Sequence, residues 1–119
     1  MPAVASLRVV AGRSAPRLLR LGGEIDLYSA PAVGEQLLAI PATDDVVIEM
    51  FDVRFFGAAA ITALLEFRAR LHHAGHTLQL AAVPRVVRRP LDLLALLDVL
   101  PCWTLTTEAI AACARPVTQ

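Results

Sequence analysis

The sequence predicts an α/β protein, with a mixed central sheet of about four to five strands and about four helices packed on it. Three observations lead there. The segment DDVVIEMFDV, residues 44–53, is almost continuously apolar over a strand's length, the mark of a strand covered on both faces. Apolar residues recur at steps of three and four in the stretches on either side of it. Strand-like and helix-like stretches then alternate to the end of the chain, which calls for parallel strands joined by right-handed crossovers.

The elements follow in order. SLRVVA is rich in Val and gives a first strand near residues 7–11. GRSAP has turn chemistry, and RLLRLGG reads as the second strand of a hairpin. Ser29 stands as an N-cap with Pro31 in the first turn and Val33, Leu37 and Leu38 at helical spacing, so a helix should run to residues 40–41. After the central strand, Ala58–His73 carries Ile61, Leu64, Leu65, Arg68 and Leu71 at helical spacing, and Gly75 is placed to stop the helix. HTLQLAAV is the next strand. PRVVRRPLDLLALLDVL should be helical, with Pro90 in the first turn of its main segment. A short strand at residues 102–105 precedes a last helix capped by Thr106, with Glu108 in its first turn. There is no internal repeat and no linker, so the expected organisation is a single domain over 1–119 with its core at about 7–114.

Composition narrows the function. The chain has 119 residues, 56% of them hydrophobic, and all 11 basic residues are Arg. Formal net charge is zero, so no global field would hold nucleic acid; the densest basic cluster, Arg85, Arg88 and Arg89, reads as a solvated helix face. The N-terminus lacks the apolar run of a signal peptide, and LDLLALLDVLP carries two Asp and is too short to span a bilayer. A cytoplasmic protein with no nucleic-acid or membrane partner is expected.

The search for chemistry returns little. Gly22-Gly23 follows a strand without the Lys or Ser pattern of a phosphate loop. His72, His73 and His76 gather near a helix end, where the dipole favours them, with no Cys, Asp or Glu in the local cluster to make a metal site. No Ser sits on a nucleophile elbow, and no carboxylate pair has the setting of a general acid and base. Neither an enzyme nor a cofactor is expected. Cys102 and Cys113 read as small core residues, or alternatively as a redox pair if the fold brings their Cα atoms within roughly 7 Å. Trp103 and Phe51, Phe55, Phe56 and Phe67 are expected to be core or half-buried packing.

One feature is odd. The helix that follows the central strand opens Gly57-Ala58-Ala59-Ala60, with neither hydroxyl nor carboxylate to accept its free N–H groups. Around it, LGGEIDLYSAPAVGEQL resembles the GELD…APAL…L segment of the STAS domain family of bacterial anti-sigma factor antagonists. VVIEMFDVRFFGAAAITALL is similar, without gaps, to that family's VVLDLSGVTFIDSSGLAALL, and GHTLQLAAVPRVVRRPLDLLALLDVLP fits its strand and following helix. The resemblance runs from about Leu7 to Ala112.

It implies a domain that binds an anti-sigma factor of the kinase-like ATP-binding fold and so frees a sigma factor for transcription. In the family that partner phosphorylates a serine at the start of the central helix, and the added charge breaks the complex. By the alignment Gly57 stands where the family has Asp, Ala58 and Ala59 where it has two hydroxyl residues, and Ala60 where it has Gly. The resemblance thus implies a partner-binding edge of Asp26, Arg54, Gly57, Ala58, Ala59, Ala60 and Thr62 that has lost its phosphorylation switch. Asp26 matches the family's acidic residue near that site, although a turn or capping role is an equal reading. Thr62, one turn into the helix, offers a hydroxyl for modification instead, although an ordinary exposed helix residue is the expected reading. The molecule is expected as a monomer or weak homodimer. Two alternatives stay open: a STAS scaffold for another partner such as an ABC-type ATPase, and an antagonist that senses redox state through Cys102 and Cys113.

Overall fold

A computed structural model describes residues 4–11 and 16–114. Nine elements follow one another: β1 (Ser6–Ala11), β2 (Arg17–Ile25), α1 (Ala30–Leu38), β3 (Val46–Phe56), α2 (Ala58–His73), β4 (Leu78–Ala81), α3 (Arg85–Leu93), β5 (Cys102–Trp103) and α4 (Thr106–Cys113). The strands lie in the sheet in chain order, β1 antiparallel to β2 and every later pair parallel. The expected mixed sheet and its helices are therefore present; the predicted GRSAP turn lies mostly at residues 12–15, outside the described residues.

The sheet has two unequal faces. Leu19, Leu21, Ile48, Met50 and Leu80 point to a large core closed by α1, α2 and α3 through Val33, Leu37, Leu64, Phe67, Leu71, Val87 and Leu91. On the other face Val47 and Ala81 meet Ala109 of α4, with Leu18, Trp103 and Cys113 around them. Helix α4 is only eight residues long, so it covers just part of that face.

This corrects the reading of β3 as buried throughout. Val46, Val47 and Ile48 are fully buried, but Phe51, Asp52, Arg54 and Phe55 are exposed. The register explains the change. Glu49 pairs with Arg20 and Asp52 with Gly22; Val53 pairs with Gly23 and Phe55 with Glu24. Each step inserts an extra residue in β3, so the strand bulges twice and turns consecutive side chains outward. Phe51 and Phe55 are each 50% exposed, where packing was expected, while Phe56 and Phe67 are buried.

Helix boundaries differ in instructive ways. α1 stops at Leu38, two residues short of expectation, because Ala39 and Ile40 form a closing turn on the carbonyls of Glu35, Gln36 and Leu37. α2 ends as predicted: Gly75 has φ +86, and the Gly75 and His76 N–H groups reach back to the His72 and Leu71 carbonyls. α3 starts at Arg85 behind Pro84, and Pro90 lies inside it rather than in its first turn. The helix ends soon after, at Leu93, and Ala95 with φ +57 turns the chain away. β5 is two residues, shorter than predicted. Leu105, not Thr106, caps α4; the Glu108 carboxylate accepts from the Leu105 N–H at 3.0 Å, while the Thr106 hydroxyl donates to Glu49 at 2.7 Å.

Candidate functional site

The start of α2 sits at the carboxyl end of β3, beside the end of β2. Gly57 is the extended N-cap residue, with φ −86 and ψ 177 and no side chain to cap. Its own N–H donates to the Ile25 carbonyl at 3.0 Å, and its carbonyl accepts from Ala60 and Ile61. Strand β2 therefore pins the first turn of α2 through the backbone, which is how the helix start survives without a polar cap. A methyl group on Gly57 would meet the Phe55 ring at 3.2 Å, a contact that the ring edge must relieve.

From this turn the side chains divide. Ala58 is exposed and Ala59 half-buried, whereas Ala60 is 2% exposed and belongs to the core, which removes it from the predicted contact surface. Thr62 is exposed, and its hydroxyl donates to the Ala58 carbonyl at 3.2 Å, the back-bond of an ordinary helix threonine. The surface at this end of α2 is small, neutral and without a free hydroxyl in the first turn.

Asp26 is occupied in the turn between β2 and α1. Its Oδ1 accepts from the Tyr28 and Ser29 N–H groups, each at 3.0 Å, and lies 3.1 Å from the Ser29 hydroxyl oxygen. Those bonds, the Ser29 backbone N–H first, hold its carboxyl below the usual Asp value of 3.8. Ser29 sits at the N-cap position of α1 but makes no side-chain cap there; its hydroxyl instead donates to the Glu24 carbonyl at 2.9 Å. Tyr28 and Leu27 are thereby left outside, 90% and 73% exposed.

Arg54 lies on the opposite face from α1, α2 and α3, lining a polar hollow of about 270 Å³ with Arg8, Arg20, Gly22 and Asp52. Arg20 is engaged there: it donates to Glu49 at 2.8 Å and rests over the Phe51 ring at 5.0 Å. Glu49 is held below its usual value; partial burial pushes it up, and the Thr106 and Arg20 hydrogen bonds outweigh that. Arg54 and the Ala58–Thr62 edge thus look out from different faces.

The two thiols are separated by the sheet. Cys102 pairs in parallel with Leu80 and packs on the large core, while Cys113 packs with Val47 and Ala81 on the α4 side. Both are free, and burial pushes each up to about 11. The redox-pair reading gains no support, since the two side chains pack in separate clusters on opposite faces of the sheet. Among the described residues no group of three metal-ligating side chains occurs, and no helix is long and apolar enough to cross a membrane.

What sequence reasoning missed is a trough between α1 and α2, of about 430 Å³ and mostly apolar. Gly34 comes within 3.9 Å of the Ala63 side chain, measured from where its own Cβ would stand, and these small residues open the concavity. The signal was available as Ala30, Gly34, Ala59 and Ala63, small residues at helical steps on neighbouring helices.

The five-stranded mixed sheet with its four helices is a fold shared with STAS domain proteins. The family model described as Mlab, STAS domain matches residues 9–101, and the chain belongs to that family. Similar solved structures agree on the fold. An anti-sigma factor antagonist from Mycobacterium paratuberculosis is 23% identical, covering 92% of this chain and 96% of that one, with a TM-score of 0.77. An anti-sigma-factor antagonist (STAS) domain protein from Planctomyces limnophilus is 19% identical over 92% and 98%, again with a TM-score of 0.77. A sulfate transporter family protein from Wolinella succinogenes is 19% identical over 87% and 88%, with a TM-score of 0.70. Among curated proteins no significant match was found.

Proposed function

We propose that this chain is an anti-sigma factor antagonist whose binding edge is not switched by serine phosphorylation. The edge is Gly57, Ala58, Ala59 and Thr62 at the start of α2, flanked by the turn that Asp26 closes; Arg54 is a contact for whatever part of the partner reaches round to the sheet. The partner is an anti-sigma factor of the kinase-like ATP-binding fold, and its capture frees a sigma factor. The chain acts by binding and catalyses nothing.

The observation that carries the reading is the exposed methyl of Ala58 at the first position of α2. A phosphate there would be favoured by the free N–H groups and the helix dipole, so the position suits a switch, and alanine cannot carry one. Ala is the best helix former, and the Gly57 backbone bond to β2 keeps the turn in place, so the surface stays presentable to a partner.

The test is affinity capture of the tagged chain from its native cytosol with ATP present, followed by mass identification of bound protein and of phosphate on the bait. A kinase-like anti-sigma factor retained with unmodified bait is the expected result. An Ala58→Ser bait should then gain a phosphate and lose the partner. Retention of an ABC-type ATPase instead, or of nothing, overturns the anti-sigma reading in favour of a STAS scaffold with another task.

A further inference from the structure

The trough between α1 and α2 begins where the α2 edge ends, sharing Ala59 and Thr62 with it. Its floor is Phe67, 1% exposed, and its small walls are Gly34 and Ala63. At its rims stand Leu27 and Leu38, 73% and 63% exposed, large apolar side chains that a monomer leaves in water. Among the described residues, Glu35 and Glu66, both exposed, are its only charged lining side chains. Arg70 stands at one end of the trough with its guanidinium over the Phe67 ring at 5.6 Å, where it is engaged in donating to the Leu37 and Ile40 carbonyls.

We infer that this trough seats an amphipathic helix of the partner, apolar where it meets Phe67, Leu27 and Leu38 and basic along its flanks where it meets Glu35 and Glu66. The inference rests on the proposed role of the α2 edge and names the chemistry of what docks there. Two parallel helices with small residues between them form a groove that an apolar ridge fills, the usual mode by which a helix is received. The charge pattern selects the occupant. A second copy of this chain would bring its own Glu35 and Glu66 against the same charges, and an acidic segment would be repelled as well. A basic-flanked helix meets neither penalty.

The probe is a pair of synthetic helical peptides sharing one Leu/Ala face, one flanked by Arg and the other by Glu, titrated against the labelled full chain and followed by amide NMR. The Arg-flanked peptide should shift Gly34, Glu35, Ala59, Ala63 and Glu66, and rising salt should weaken it. Reversing both rim charges, Glu35→Arg with Glu66→Arg, should change the preference between the two peptides by roughly tenfold in favour of the Glu-flanked one. These are surface positions, so the variant should keep the wild-type spectrum elsewhere. Gly34→Leu should fill the trough and abolish the shifts. Equal binding of both peptides, or shifts confined to the α4 face, would overturn the inference. Peptide binding in the trough without capture of an anti-sigma factor leaves the trough standing and removes the functional reading. Capture undiminished by Gly34→Leu does the reverse.

Discussion

At the scale of single residues, backbone geometry and one carboxylate make the sharpest statements. Gly23 and Gly75 both have positive φ, +88 and +86, yet their surroundings differ. A Cβ on Gly23 would stand 2.2 Å from the Val4 carbonyl oxygen, whereas nothing lies within 4 Å of one on Gly75. Gly75→Ala should therefore lose only the left-handed penalty, about 1 kcal/mol, and Gly23→Ala more than about 2 kcal/mol because the Val4–Ala5 backbone ahead of β1 must also move. Urea midpoints of the two variants check this, and equal losses would contradict it. For Asp26 the sign is fixed by its lowered pKa. A carboxylate depressed on folding adds stability above its unfolded value of 3.8, and that stability is lost as pH falls through the folded value. Wild type should exceed Asp26→Asn at neutral pH, with the gap closing below pH 3.8. A gap unchanged down to strong acid would mean that the carboxylate's charge does no work in the turn.

Between residue and fold stand the elements, and here α1 and α2 are joined by a side chain rather than by packing alone. Arg70 on α2 donates to two carbonyls at the end of α1, those of Leu37 and Ile40, and lies over the Phe67 ring at 5.6 Å. Arg70→Met keeps the apolar stem and removes the donors. We expect a loss of about 2 kcal/mol by chemical denaturation, and less than about 0.5 kcal/mol for Arg68→Met two residues away. A small effect at Arg70 would mean that water serves those carbonyls equally well. The sequence announced the helices themselves through apolar spacing, Pro31 and Gly75. It did not announce this clasp, because an arginine's partner 33 residues back leaves no local periodicity. Pro90 misled for a related reason. Its ring suits a first turn, but Val87 and Leu91 are drawn fully into the core, and their burial fixes one helix across it.

The whole molecule is ordered by its sheet, which decides what can meet what. Cys102 and Cys113 lie on opposite faces of it, so oxidation should form no internal disulfide. Intact mass after mild oxidant should match the reduced chain. Alkylation at neutral pH should be slow when folded, since both thiols are pushed to about 11, and complete for two thiols in denaturant. A two-proton mass loss would show that the sheet opens. The same partition places Arg54 on the face away from the Ala58–Thr62 edge, so a partner touching both must wrap the end of β3.

The sequence by itself determined the order and type of the elements, the mixed α/β sheet, the missing hydroxyls at the start of α2 and, through its motifs, the STAS resemblance. These are local signals: spacing, caps, and residue types in a row. Tertiary structure alone decided that Ala60 is core and Ala58 is surface, that Asp26 serves its turn, that two bulges turn Phe51 and Phe55 outward, and that a trough opens between α1 and α2. Each of these depends on which strand or helix lies alongside. A neighbour distant in sequence supplies the missing partner, the extra residue of register or the empty space, and local patterning carries no record of it.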